Sequence, residues 1–127
     1  MSNVIYDSSA LLALIFQEKG AEIAQGYLPQ AMMSLINHAE TTGILIASGM
    51  PKNEAFSIVT GLVPHQVSFD MEQAKLTASL QSKTQRFGLS LGDCACLALA
   101  KARTLPVVTA DKAWSKLSAG IKIIQIR

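Results

Sequence analysis

Short apolar β-type runs alternate with stretches of helical periodicity along the whole chain, and that alternation leaves few folds open. Asn3–Tyr6 reads as a strand, followed by Asp7-Ser8-Ser9 and an apolar helix to about Phe16. A helix over Ala21–Leu28 closes at Pro29, and Ala31–Leu35 reads as a second strand. Ile36–Ser48 is the next helix, ended by Gly49, and Pro51 takes the first position of a helix reaching about Gly61. His65–Phe69 alternates as a strand. Asp70 opens a helix to about Arg86, with Gln73 as capping-box partner. A helix over Leu91–Arg103, a strand over Pro106–Thr109, a short helix over Asp111–Leu117 and a strand over Ile121–Ile126 complete the pattern. Five strands separated by helices imply an α/β fold, a three-layer α/β/α sandwich around a five-stranded, mainly parallel sheet. In such sheets the ligand site lies beyond the carboxyl ends of the strands.

A chain of 127 residues is one domain, 1–127, and buries enough surface for a core without staples. Half its residues are apolar and 16% are charged, which excludes a disordered tail protein. Aromatics make up only 6%, so the core is aliphatic and base stacking is not the obvious binding device. Cys94 and Cys96 stand too close to staple a fold, and on a helix they face different directions. They read as small buried hydrophobes. His38 and His65 read as structural histidines, Met32, Met33, Met50 and Met71 as core filler, and Trp114 as a packing anchor. No signal peptide is visible, and Ala10–Phe16 is too short to span a bilayer, so a soluble cytoplasmic protein is expected. Charge is divided unevenly. Residues 1–74 hold two basic against seven acidic groups, net −5, whereas residues 75–127 hold nine against two, net +7. The basic half hints at an anionic partner.

Asp7 follows the first strand, and Asp111 follows the Pro106–Thr109 strand. Asp93 starts the helix that feeds that same strand, and Glu40 lies early in the helix after the second strand. All four acids therefore face one end of the expected sheet, although far apart in sequence. Each also has a purely structural explanation: Asp7 and Asp111 as helix caps, Asp93 as the capping-box partner of Ser90, Glu40 on an exposed helix face. The surroundings argue for more. Leu91–Ala100 is otherwise apolar, and no Lys or Arg lies near Asp7, Glu40 or Asp93 in sequence. Unpaired charges in apolar surroundings are costly, and clustered carboxylates raise each other's pKa unless a cation sits among them. A hard divalent ion, Mg²⁺ or Mn²⁺, suits such a set.

At these residues the chain resembles the PIN-domain ribonucleases, and within them the VapC-type toxins of toxin–antitoxin pairs. The resemblance spans essentially the whole chain. It is carried by Val-Ile-Tyr-Asp7-Ser-Ser9-Ala-Leu-Leu-Ala, Asn37-His-Ala-Glu40, Ser90-Leu-Gly-Asp93-Cys-Ala-Cys-Leu-Ala-Leu-Ala and Val-Val-Thr109-Ala-Asp111-Lys-Ala-Trp114. It implies that Asp7, Glu40, Asp93 and Asp111 hold the metal and serve catalysis, with Thr109 and Ser9 as supporting hydroxyls. It further implies metal-activated water attacking RNA, a cognate antitoxin reaching the acidic site, and a toxin homodimer. Lys83, Arg86, Lys112 and Lys116 are candidates for holding the phosphate backbone.

Three other readings compete with it. His38-Ala-Glu40 matches the His-x-Glu of zinc deaminases, but their later Pro-Cys-x-x-Cys is missing. A phosphoacceptor receiver domain would need a second acid beside Asp7, and a lysine where Asp111 stands. A PIN fold that binds RNA or a partner without cleaving is the serious alternative.

Overall fold

In a computed structural model the described residues are 3–117 and 120–127. The expected domain also includes Met1, Ser2, Ser118 and Ala119, which lie outside them. Five strands form one parallel sheet: β1 (Val4–Tyr6), β2 (Ala31–Ser34), β3 (His65–Val67), β4 (Val107–Thr109) and β5 (Ile123–Gln125). Their spatial order is β3-β2-β1-β4-β5, with every pairing parallel. Six helices connect them: α1 (Ser8–Ile15), α2 (Ala21–Tyr27), α3 (Leu35–Ala47), α4 (Lys52–Leu62), α5 (Met71–Thr84) and α6 (Leu91–Arg103).

Strand alternation builds the layers. Val4 and Tyr6 pack with Met33 and Val108 against α1, α2, α3 and α4. Ile5, between them, points the other way and packs with Met32 and Val107 against α5, α6 and Trp114. Successive side chains on a strand take opposite faces, so three-residue strands suffice to hold a helical layer on each side. The α/β/α sandwich expected from the alternation is the observed architecture.

Several local expectations change. Pro51 is the N-cap residue of α4 and not its first helical position. Asp70 caps α5 by accepting the Gln73 amide at 2.9 Å, but the Gln73 side chain donates to the Ser68 carbonyl, so the capping box is half made. α5 stops at Thr84 and tightens into a 3₁₀ turn over Gln85–Phe87, where Gly88 (φ 69°) supplies the left-handed residue that reverses the chain. Lys112–Lys116 is a 3₁₀ turn, and the last strand contracts to Ile123–Gln125. Met71 is 79% exposed at the start of α5, outside either core, so it is not core filler. His65 is exposed on the edge strand β3, whereas His38 is buried with both ring nitrogens on Thr60 and Thr42. Cys94, Cys96 and Trp114 are buried as expected. Among the described residues no helix is long and apolar enough to cross a membrane.

Candidate active site

The carboxyl ends of β1, β2 and β4 open on the elements that follow, with Asp7 and Asp111 at their starts and Glu40 in the second turn of α3, while Asp93 stands in the first turn of α6, the helix that leads into β4. Asp7 is the N-cap of α1 and is 3% exposed. Its Oδ1 accepts the Ala10 amide at 2.9 Å, and its Oδ2 accepts the Thr109 hydroxyl at 2.6 Å. Ser9 Oγ lies 2.8 Å from both carboxylate oxygens and 3.2 Å from Thr109 Oγ1. Burial pushes the Asp7 pKa up to about 6, against the lowering effect of these hydrogen bonds, and the charge of Asp93 adds to the rise. No cation offsets this charge: among the described residues the one ion pair is Arg127–Glu18, on the surface.

Glu40 sits in the second turn of α3. Its Oε1 accepts from Ser8 Oγ at 3.0 Å and from Asn37 Nδ2 at 2.9 Å. Across from it, a Cβ added at Gly92 would overlap the Glu40 carboxylate, so this acid lies directly against the backbone of α6. Asp93 forms a complete capping box with Ser90, accepting the Ser90 amide on Oδ2 at 2.9 Å. Asp111 caps the 3₁₀ turn through Oδ1, at 3.0 Å from the Ala113 amide. Its own amide donates to Thr109 Oγ1 at 3.0 Å, one hydrogen bond from Asp7.

Three of the acids, Asp7, Asp93 and Glu40, act electrostatically on one fully buried side chain, Cys96. Burial pushes its thiol well above the ordinary range, and the charges of Asp7, Asp93 and Glu40 push it further, in that order. Asp111 is absent from that set and stands two residues past the end of β4. Glu40, Asp93 and Asp111 turn to local donors. Hence, among the described residues, no three His, Cys, Asp or Glu side chains already surround a common point as ligands would. Each of these three makes its hydrogen bonds through one oxygen and leaves the second without a protein partner among the described residues. The donor set is all oxygen, anionic and without a competing cation, and it suits a hard divalent ion.

Ser9 and Thr109 thus hold the Asp7 carboxylate by their hydroxyls. Lys112 and Lys116 are exposed on the turn that Asp111 caps. Lys83 and Arg86 are exposed around the end of α5, where with Lys101 they line one small cavity, the Arg86 guanidinium 4.9 Å from the Phe87 ring centre. Sequence reasoning gave no role to Ser8, Asn37 or Gly92. Only Gly92 carried a signal, as a glycine inside an apolar helix, where a close approach is a common cause.

The family model described as PIN domain matches residues 4–120. No curated protein sequence matches the chain. Among solved structures, the chain is similar to a toxin–antitoxin complex from Klebsiella pneumoniae, at 19% identity over 98% of each chain with a TM-score of 0.75. It is likewise similar to DNA-bound VapBC from Salmonella typhimurium, at 17% identity over 100% of both chains with a TM-score of 0.75. A third is VapC20 from Mycobacterium tuberculosis, described as a Sarcin–Ricin loop cleaving toxin. There the identity is 12% over 94% of this chain and 99% of that one, with a TM-score of 0.71. At such identities the structures speak for the fold, and it is the match to the family's own model over nearly the whole chain that makes this protein a member of the PIN domain family.

Proposed function

We propose that the chain is a metal-dependent endoribonuclease and the toxin of a toxin–antitoxin pair. The observation that carries this reading is the buried Asp7 carboxylate, met by hydroxyls and an amide instead of a cation and raised in pKa by the charge of Asp93. Asp7, Glu40, Asp93 and Asp111 would hold Mg²⁺ or Mn²⁺. When bound, such an ion supplies a water of lowered pKa and offsets charge on the scissile phosphate. Thr109 and Ser9 keep Asp7 in one orientation, and an unbonded carboxylate oxygen of Glu40 or Asp93 can accept the water's proton. Lys83, Arg86, Lys112 and Lys116 hold the RNA backbone by its phosphates.

Membership of the PIN domain family supports the nuclease chemistry. The neighbour described as a toxin–antitoxin complex supports a protein partner. On this reading the partner is a cognate antitoxin whose basic side chain pairs with the acids, and the toxin acts as a homodimer in the cytoplasm. The rival, a PIN module that binds without cleaving, draws on one observation: Glu40, Asp93 and Asp111 each commit an oxygen to a local hydrogen bond. Purified protein with a structured RNA distinguishes them. Cleavage is expected with Mg²⁺ or Mn²⁺, is abolished by EDTA, returns with added Mn²⁺, and drops sharply in folded Asp93→Asn. Full activity after exhaustive chelation would remove the metal from the mechanism, and binding without cleavage under every condition would establish the rival. Expression alone should arrest growth, Asp93→Asn should not, and the neighbouring reading frame should rescue the parent.

A further inference from the structure

We propose that Asn37 is a positioning residue of the acidic site, a neutral double donor that fixes the Glu40 carboxylate on the first turn of α6 beside Asp93 without cancelling its charge. The inference rests on the nuclease reading above. Asn37 is 1% exposed, and its Nδ2 donates to Glu40 Oε1 at 2.9 Å and to the Gly92 carbonyl at 3.1 Å. With two acceptors around one nitrogen, the amide has a single workable orientation, because turned over it would bring Oδ1 against two oxygens. One bond is local, three residues along α3. The other spans 55 residues and ends on the residue immediately before Asp93. One side chain therefore couples the helix bearing one acid to the helix bearing another. Gly92 completes the clamp, since any Cβ there would occupy the space of the Glu40 carboxylate.

The residue type matters. Lys or Arg at position 37 would pair with Glu40 and neutralise the charge that a cation needs, while an acid would repel it. An amide orders the carboxylate and leaves its full charge in place. Packing alone gives a poor account of this asparagine, for its Oδ1 is buried with no hydrogen-bond partner, which destabilises the fold. A donor brought in by an occupied site, such as a water molecule, would satisfy it.

The test is Mn²⁺ affinity without RNA, read by electron paramagnetic resonance titration, beside steady-state cleavage kinetics and thermal melts. The proteins are the parent, Asn37→Ala, Gly92→Ala, Glu40→Gln and the Asn37→Ala/Glu40→Gln double variant. Asn37→Ala should weaken Mn²⁺ binding about tenfold and lower kcat by about ten- to a hundredfold with KM little changed, as removal of a ligand's supporting partner does. Gly92→Ala displaces the same carboxylate from the other side, while alanine favours the helix, and should give the same pattern in a fully folded protein. In the Glu40→Gln background Asn37→Ala should cost nothing more, because it acts through Glu40. Parent-like Mn²⁺ affinity and kcat in Asn37→Ala, or losses that add in the double variant, overturn the positioning role. If Asn37→Ala fails to fold, parent-like values in Gly92→Ala overturn it alone. A parent that neither binds Mn²⁺ nor cleaves RNA overturns the nuclease reading and this inference together. A parent that does both, beside unmoved variants, overturns only the latter.

Discussion

At Asp93 the carboxylate is divided, with Oδ2 accepting the Ser90 amide and Oδ1 making no hydrogen bond to the described protein. Asp7 and Asp111 likewise cap the elements that follow them while facing the carboxyl end of the sheet. The structural and functional explanations open from sequence are therefore compatible at these positions. At Asp7 and Asp111 a strand end places the same residue at the start of the next helix or turn and at the carboxyl end of the sheet, and at all three positions capping restricts the side chain's orientation. His38 shows the opposite balance, being structural throughout. Its ring lies between Thr60 at 2.9 Å and Thr42 at 3.1 Å, and burial holds its pKa below the ordinary histidine value against a backbone hydrogen bond that raises it. In the window between the unfolded value of about 6.5 and the lower folded value, the unfolded chain binds more protons. Stability should therefore fall as pH drops through that window. Denaturant midpoints at several pH values should show a shallower dependence in His38→Gln, and an equal slope in both proteins would assign the effect to other groups.

α6 is the element whose bounds, Leu91–Arg103, match the expectation at both ends. Its start carries the complete Ser90–Asp93 box, and its apolar body is buried around the whole circumference. The helix that begins at Asp70 is harder to bound from sequence, because its last turn tightens at Thr84 with no proline or early glycine to announce the change. Met71 departs from expectation for a related reason. Hydrophobicity alone places it inside, whereas its place at the first position of α5 leaves no neighbouring layer to cover it. α6 also stores strain at its C-cap, where Thr104, a β-branched residue, adopts φ 53° and ψ 50°. Thr104→Gly keeps the backbone hydrogen bonds to Ala100 and Lys101 and relieves the Cβ crowding. It should stabilise the protein by about 0.5–1 kcal/mol net of the entropy that glycine adds to the unfolded chain. Chemical denaturation of both proteins measures this, and a lower midpoint for glycine would mean the strain is smaller than that entropy.

Across the whole molecule, the charge division of the sequence becomes a division between layers. The acidic first half builds α1, α2, α3 and α4 on one face of the sheet, and the basic second half builds α5, α6 and the Lys112–Lys116 turn around the other. Only Asp93 and Asp111 are acidic in that second half, and each caps the start of the element it lies in or precedes. A polyanion would thus meet the basic layer first and the acids at its rim. Lys112→Ala or Lys116→Ala should weaken RNA binding across sequences and reduce its logarithmic salt slope by roughly one for each phosphate no longer neutralised. Binding measured between low and physiological salt decides this, and an unaltered slope would return those lysines to the role of a solvated surface.

The sequence by itself determined the layered α/β/α architecture, because period-2 runs and period-3.6 stretches alternate without ambiguity and parallel strands require crossover helices. It also offered four acids as candidates for one end of the sheet, three of them at the start of a helix or turn and Glu40 within α3. The tertiary structure decided how those acids are held. That Thr109, 102 residues away, bonds Asp7, and that Asn37 reaches the Gly92 carbonyl across 55 residues, follows from strand order and helix packing. Nothing in local periodicity encodes such distances. Which oxygen of each carboxylate is committed and which remains open is settled at the same level, by donors on neighbouring elements and by the absence of a Cβ at Gly92.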